Sequence, residues 1–119
     1  MTIGEVSALL GAEVHCGGDR LDAVVHSACG ADLMSDVLAN VKDHAVLLTG
    51  LLNPHVVRTA QMLDVALIVF VRGKVPTQEI LDMAQECGIA VMNARQTLFE
   101  ACGILYQHGL RGGGTCDAR

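Results

Sequence analysis

An α/β fold is what the sequence predicts: three layers, with a mainly parallel sheet between helices on both faces. Three observations predict it. From residue 45 onward, short apolar runs alternate with amphipathic segments: "AVLLT" at 45–49, "ALIVFV" at 66–71 and "IAVMN" at 89–93 each precede a helical pattern. The runs are continuously apolar, as strands covered on both faces require. Each connection between them contains a helix, which permits parallel neighbours joined by right-handed crossovers.

The elements follow in order. Thr2 and Glu5 have capping-box spacing before "VSALL", and Gly11 supplies a left-handed stop, so residues 2–10 read as a helix. "AEVHC" at 12–16 reads as a strand ended by the turn "GGDR". "LDAVVHSACGA" at 21–31, rich in small and β-branched residues, reads as extended. From Asp32, a cap residue, "DLMSDVLANV" places Leu33, Val37 and Leu38 at helical offsets. After the 45–49 strand, Asn53 and Pro54 give a cap and first-position signal for a helix with Val56, Val57, Ala60 and Leu63 on one face. The 66–71 strand leads to the helix "TQEILDMAQEC", closed by Gly88. The 89–93 strand leads to "TLFEACGILYQ", where Thr97 and Glu100 repeat the capping-box spacing. A chain of 119 residues has room for one core, so residues 1–110 form a single domain and the Gly-rich residues 111–119 a flexible tail. No internal repeat precedes that tail.

Composition narrows the function classes. The chain is 51% hydrophobic and 18% charged, which excludes a disordered polyelectrolyte. No apolar run approaches the roughly 18 residues that cross a bilayer, and "MTIGEVSALLG" has no basic segment before an apolar stretch, so a cytoplasmic location without membrane contact is expected. A net charge of −5, one Tyr, two Phe and no Trp give a nucleic-acid surface little to use. The five cysteines (16, 29, 87, 102 and 116) form no CxxC and read as reduced thiols. The five histidines show no i, i+4 pair, so neither a metal site nor a cofactor is expected. The methionines at 34, 62, 83 and 92 lie mainly in apolar stretches and read as core filler.

Ligands of open α/β sheets sit beyond the carboxyl ends of the strands, where the following helices point their partly positive N-termini. Three loops occupy that edge: "TGLLNP" at 49–54, "RGKVPT" at 72–77 and "NARQT" at 93–97. They offer Thr49, Gly50, Asn53, Arg72, Gly73, Lys74, Asn93, Arg95 and Thr97. Hydroxyls, amides, bare glycine backbone and cations together suit a phosphate or carboxylate. The plainer reading of the same residues is two tight turns at Gly50 and Gly73, two helix caps at Asn53 and Thr97, and solvated cations at Arg72 and Lys74. A nucleoside-triphosphate grip is excluded, because Gly73-Lys74 is followed by Val75 and no glycine precedes it by five residues. "HGLRGGG" opens no helix, so it is no dinucleotide fingerprint either. Cys29 with His26 and Asp32 could be imagined as a nucleophile and its partners, but in an extended segment His26 and Cys29 point to opposite faces. No catalytic residue is expected.

"DLMSDVLA", "LLTGLLNPHVVRTAQMLDVALIVFVRGKVP" and "FEACGILYQHGL" carry a resemblance, over about residues 1–110, to the DRTGG domain family. The naming string itself is absent, Thr49-Gly50 being its nearest remnant. The resemblance implies a Rossmann-like domain similar to the non-catalytic N-terminal domain of HPr serine kinase/phosphorylase. Such domains also occur beside CBS domains in some pyrophosphatases and in iron-only hydrogenase gene clusters. It further implies a regulatory or accessory role and a homodimer. The expected function is thus a non-catalytic regulatory domain binding a small anionic ligand, a nucleotide or phosphorylated metabolite, at the carboxyl edge. The alternative is a ligand-free interaction module that dimerises or docks on a larger enzyme complex such as an iron-only hydrogenase system.

Overall fold

The computed structural model describes residues 1–40 and 44–112. Helix α1 (Ile3–Leu10) starts at Thr2, whose side chain accepts from the Glu5 N–H while Glu5 returns a bond to the Thr2 N–H, the predicted capping box. Strand β1 (Glu13–Cys16) follows, then a short 3-10 turn at Gly18–Arg20. The segment expected to be extended over 21–31 pairs in only two places: an isolated bridge of Val24 with Thr2, and strand β2 (Ser27–Gly30). Its first residues are instead spent on α1, where Leu21 and Ala23 carbonyls accept from the Gly4 and Ile3 N–H groups that a helix start leaves free.

Helix α2 (Met34–Asn40), strand β3 (Ala45–Thr49), helix α3 (Pro54–Gln61), strand β4 (Val65–Phe70), helix α4 (Gln78–Cys87), strand β5 (Ala90–Asn93) and helix α5 (Leu98–Gln107) complete the order. The sheet runs β1-β5-β4-β3-β2, with β2, β3, β4 and β5 mutually parallel and β1 antiparallel on β5. Sequence pattern gave β1 no direction, because its direction depends on pairing with residues some eighty positions away.

Both faces of the sheet are covered. Val46, Leu48, Leu67, Val69 and Met92 pack with Ile3, Val6, Ala101 and Leu105 beneath α1 and α5. Leu47, Ile68, Phe70 and Val91 pack with Val37, Val56, Ala60, Ile80 and Ala84 beneath α2, α3 and α4. These central side chains are fully buried, and each Val, Leu, Ile, Phe or Met among them stabilises the fold by roughly 1.5–3 kcal/mol. That explains why β3, β4 and β5 read as unbroken apolar runs. Gly30 lets α5 sit close to β2, since a Cβ there would lie 2.4 Å from Cys102 Sγ. Residues 113–119 of the expected tail lie outside the described residues; Arg111, where it begins, gives its carbonyl to the Ala28 N–H on β2.

Candidate functional site

The parallel register fixes where the strands end. Thr49 pairs with Phe70, and Phe70 with Asn93, so the loops after β3, β4 and β5 leave the sheet along one rim. Thr49 is fully buried and uses its hydroxyl twice, donating to Asp32 Oδ1 at 3.1 Å and accepting from the Leu51 N–H at 3.1 Å. The same Asp32 oxygen accepts from the Gly50 N–H at 2.7 Å. Asp32, read from sequence as a helix cap, thus ties the end of β2 to the end of β3. Its donors lie 17 and 18 residues further along, outside any local spacing rule.

Gly50 is the hub of the arrangement. Its carbonyl accepts from Lys74 Nζ at 2.6 Å and stands 3.5 Å from Arg72 Nη2. The Arg72 guanidinium lies over the glycine itself, where a Cβ would come within 2.5 Å of Nη2 and 3.1 Å of Cζ. A side chain at position 50 would push the guanidinium aside from that place. Among the described residues neither cation has a carboxylate within ion-pair distance. Two positive charges are therefore held at a strand end by a neutral acceptor, an arrangement in which an incoming anion displaces a dipole rather than a full charge.

The backbone that presents them is constrained. Arg72 and Gly73 both have positive φ, 61° and 69°, and the Lys74 N–H reaches back to the Val71 carbonyl, as in a type I′ turn. Glycine takes that conformation freely, whereas arginine adopts it at a cost of about 1–2 kcal/mol. The neighbouring loop holds it there: Gln96 O accepts from the Arg72 N–H at 2.8 Å and Ala94 O from the Gly73 N–H at 2.7 Å. Gln96 is in turn anchored through Nε2 to the Leu10 carbonyl at the end of α1.

The remaining predicted residues are placed on the rim but not in this cluster. Asn53 Oδ1 accepts from the His55 N–H at 2.8 Å, capping α3. Thr97 caps α5 in a box with Glu100. Asn93 Oδ1 lies 2.9 Å from His15 Nε2, which also stands 3.1 Å from Glu13 Oε1. Gly73, Asn93 and Arg95 line, with Gly11, Glu13 and Ala94, an open cavity of about 470 Å³ beside the cationic turn. Thr49, Gly50, Arg72 and Lys74 thus converge; Asn93 and Arg95 border an adjoining cavity; Asn53 and Thr97 serve their helices.

Cys29 offers no sign of activation. Burial, with Asp36 nearby, pushes its thiol above the ordinary range, so it is held protonated rather than as a nucleophilic thiolate. Cys102 is raised in the same way, chiefly by burial. Among the described residues no helix is long and apolar enough to cross a membrane.

Comparison with known proteins places the fold. No curated protein matches the chain. A solved structure does: that of the CBS and DRTGG domains of the regulatory region of Clostridium perfringens pyrophosphatase, complexed with its activator, diadenosine tetraphosphate. It is 18% identical, superposes with a TM-score of 0.73, and covers 89% of this chain. The chain spans 46% of that one, and at this identity the likeness establishes the shared fold. The DRTGG domain profile matches residues 5–108, nearly the whole of the sheet and its helices, and the chain therefore belongs to the DRTGG domain family.

Proposed function

We propose that this chain is a non-catalytic regulatory or accessory domain of the cytoplasm that binds a small anionic ligand, a nucleotide or phosphorylated metabolite, at the carboxyl edge of its sheet. The observation that carries the reading is the Gly50 hub, where Lys74 and Arg72 are gathered without an acidic partner among the described residues. Thr49, Gly50, Gly73, Asn93 and Arg95 complete the rim, and the 470 Å³ cavity beside the turn has room for the rest of a metabolite. Asn53 and Thr97 contribute the helix N-termini they cap. Kinship with a domain of a regulatory region solved with a dinucleotide activator supports the ligand class.

The test is thermal melting of the chain against nucleoside mono-, di- and triphosphates, diadenosine tetraphosphate and sugar phosphates. A ligand at 100 times its dissociation constant stabilises by about 2.7 kcal/mol, which reads as a rise of several degrees. The rise is expected to vanish in the double variant Arg72→Ala, Lys74→Ala. No rise with any compound, or one that survives the double variant, removes the reading.

A second reading has its own observation. Phe99 and Tyr106 are largely exposed on α5, favouring an interaction module that forms a homodimer or docks on a larger enzyme complex such as an iron-only hydrogenase system.

A further inference from the structure

We infer that the anion this domain takes is the monophosphate ester of a sugar or other polyol rather than a nucleotide, its phosphate on Lys74 and Arg72 and a hydroxyl of its chain on Glu13 and Asn93. The inference rests on the anion-site reading above and narrows its ligand class. Strand register sets these groups in one line. Phe70 pairs with Asn93, and Asn93 with Glu13, so the carboxylate and the amide are direct cross-strand neighbours on β1 and β5, beside the turn that follows β4. At a strand spacing of about 4.8 Å, Asn93 lies one strand and Glu13 two strands from the end of β4, a reach of about 10 Å. A phosphorylated sugar covers that span, whereas a dinucleotide overruns it.

Glu13 and Asn93 are also held in the form a hydroxyl needs. His15 stands two residues beyond Glu13 on the same face of β1. Its Nε2 lies 3.1 Å from Glu13 Oε1 and 2.9 Å from Asn93 Oδ1. Both oxygens are acceptors, so the ring nitrogen donates to both and clamps one end of each group. The other ends, Glu13 Oε2 and Asn93 Nδ2, have no protein partner among the described residues. An acceptor and a donor side by side match a hydroxyl, which gives one hydrogen bond and takes another. No comparable place awaits a base. The walls of the 470 Å³ cavity hold no aromatic or branched aliphatic side chain; Ala94 gives a methyl, and Gly11 and Gly73 give backbone. Arg95 is the one plane on which a base could lie, and no ring or aliphatic wall lines the cavity to sandwich it. The Glu13 carboxylate repels a second phosphate, which selects a monoester over a bisphosphate.

Chemical-shift titration of the full chain with ribose 5-phosphate, glucose 6-phosphate, glycerol 3-phosphate, AMP and inorganic phosphate tests this, since it reads weak binding as well as tight. At least one of the three polyol phosphates is expected to bind roughly tenfold or more tighter than both AMP and inorganic phosphate, the margin of a hydrogen bond to a charged group. Lys74→Ala should weaken every compound. Glu13→Ala should weaken the polyol phosphate by a similar factor without weakening inorganic phosphate, because it removes an acceptor and a repelling charge together. Glu13 is 74% exposed, so this variant should keep the wild-type circular dichroism. AMP binding as tightly as the best polyol phosphate overturns the choice of ligand and keeps the anion site. So does a polyol phosphate whose affinity is indifferent to Glu13→Ala, or falls only in step with that of inorganic phosphate. Binding by none of the five removes the anion-site reading and this inference with it.

Discussion

The two halves of the rim use similar residues to different ends. After β3 and β4, Thr49, Gly50, Arg72 and Lys74 converge, and the cations rest on a carbonyl. After β5, Asn93 is engaged by His15 with Glu13 beside it, and Thr97 is engaged by Glu100. Both halves looked alike as a list of polar residues at strand ends. What separates them is whether each polar group already has a partner: a cation satisfied by a neutral oxygen keeps most of its field available, whereas a cap hydroxyl has little left to give.

Four expected outcomes would break or sharpen that contrast. The largest concerns ligand affinity. Replacing Lys74 by Ala should cost about 1.5–3 kcal/mol of binding, the worth of a hydrogen bond to a charged group, whereas Thr97→Ala should leave affinity unchanged. Equal losses in isothermal titration would erase the distinction. Next is Thr49→Val, which removes the acceptor of the Leu51 N–H and one donor to Asp32. It should lower unfolding stability by about 1–3 kcal/mol in urea titration. Thr97→Ala should cost about 1 kcal/mol through loss of its capping box, read in the same titration. The smallest is Arg72→Gly, where relief of the positive φ and the greater freedom of the unfolded chain nearly cancel. Stability should stay within about 1 kcal/mol of wild type while affinity falls, dividing what the residue does for the fold from what it does for the anion.

Much of this was legible beforehand because it is local. Runs such as 66–71, caps at Thr2, Asn53 and Thr97, and the stop at Gly88 depend on neighbours within a few positions, and the structure bears them out. What escaped is long-range. The antiparallel entry of β1 and the use of Leu21 and Ala23 as acceptors for α1 arise from pairing that no periodicity encodes. Asp32 was visible as a cap and as an imagined partner of Cys29, since nothing near it announces that its carboxylate would hold Thr49 and Gly50. Asn93 looked free for the complementary reason: its partner, His15, sits 78 residues earlier.

The single bond from Ala28 to the Arg111 carbonyl has a bearing on colloidal behaviour. β2 is the outermost strand on its side, and such strands invite stray chains to add themselves by backbone pairing. Here the polypeptide fills that vacancy with its own returning segment, which Arg111 also clasps to Tyr106. Shortening the chain ahead of that residue would strip the guard from the strand and bare the ring face that the Arg111 guanidinium covers in one step, making aggregates rather than a tidy smaller domain the product of truncation.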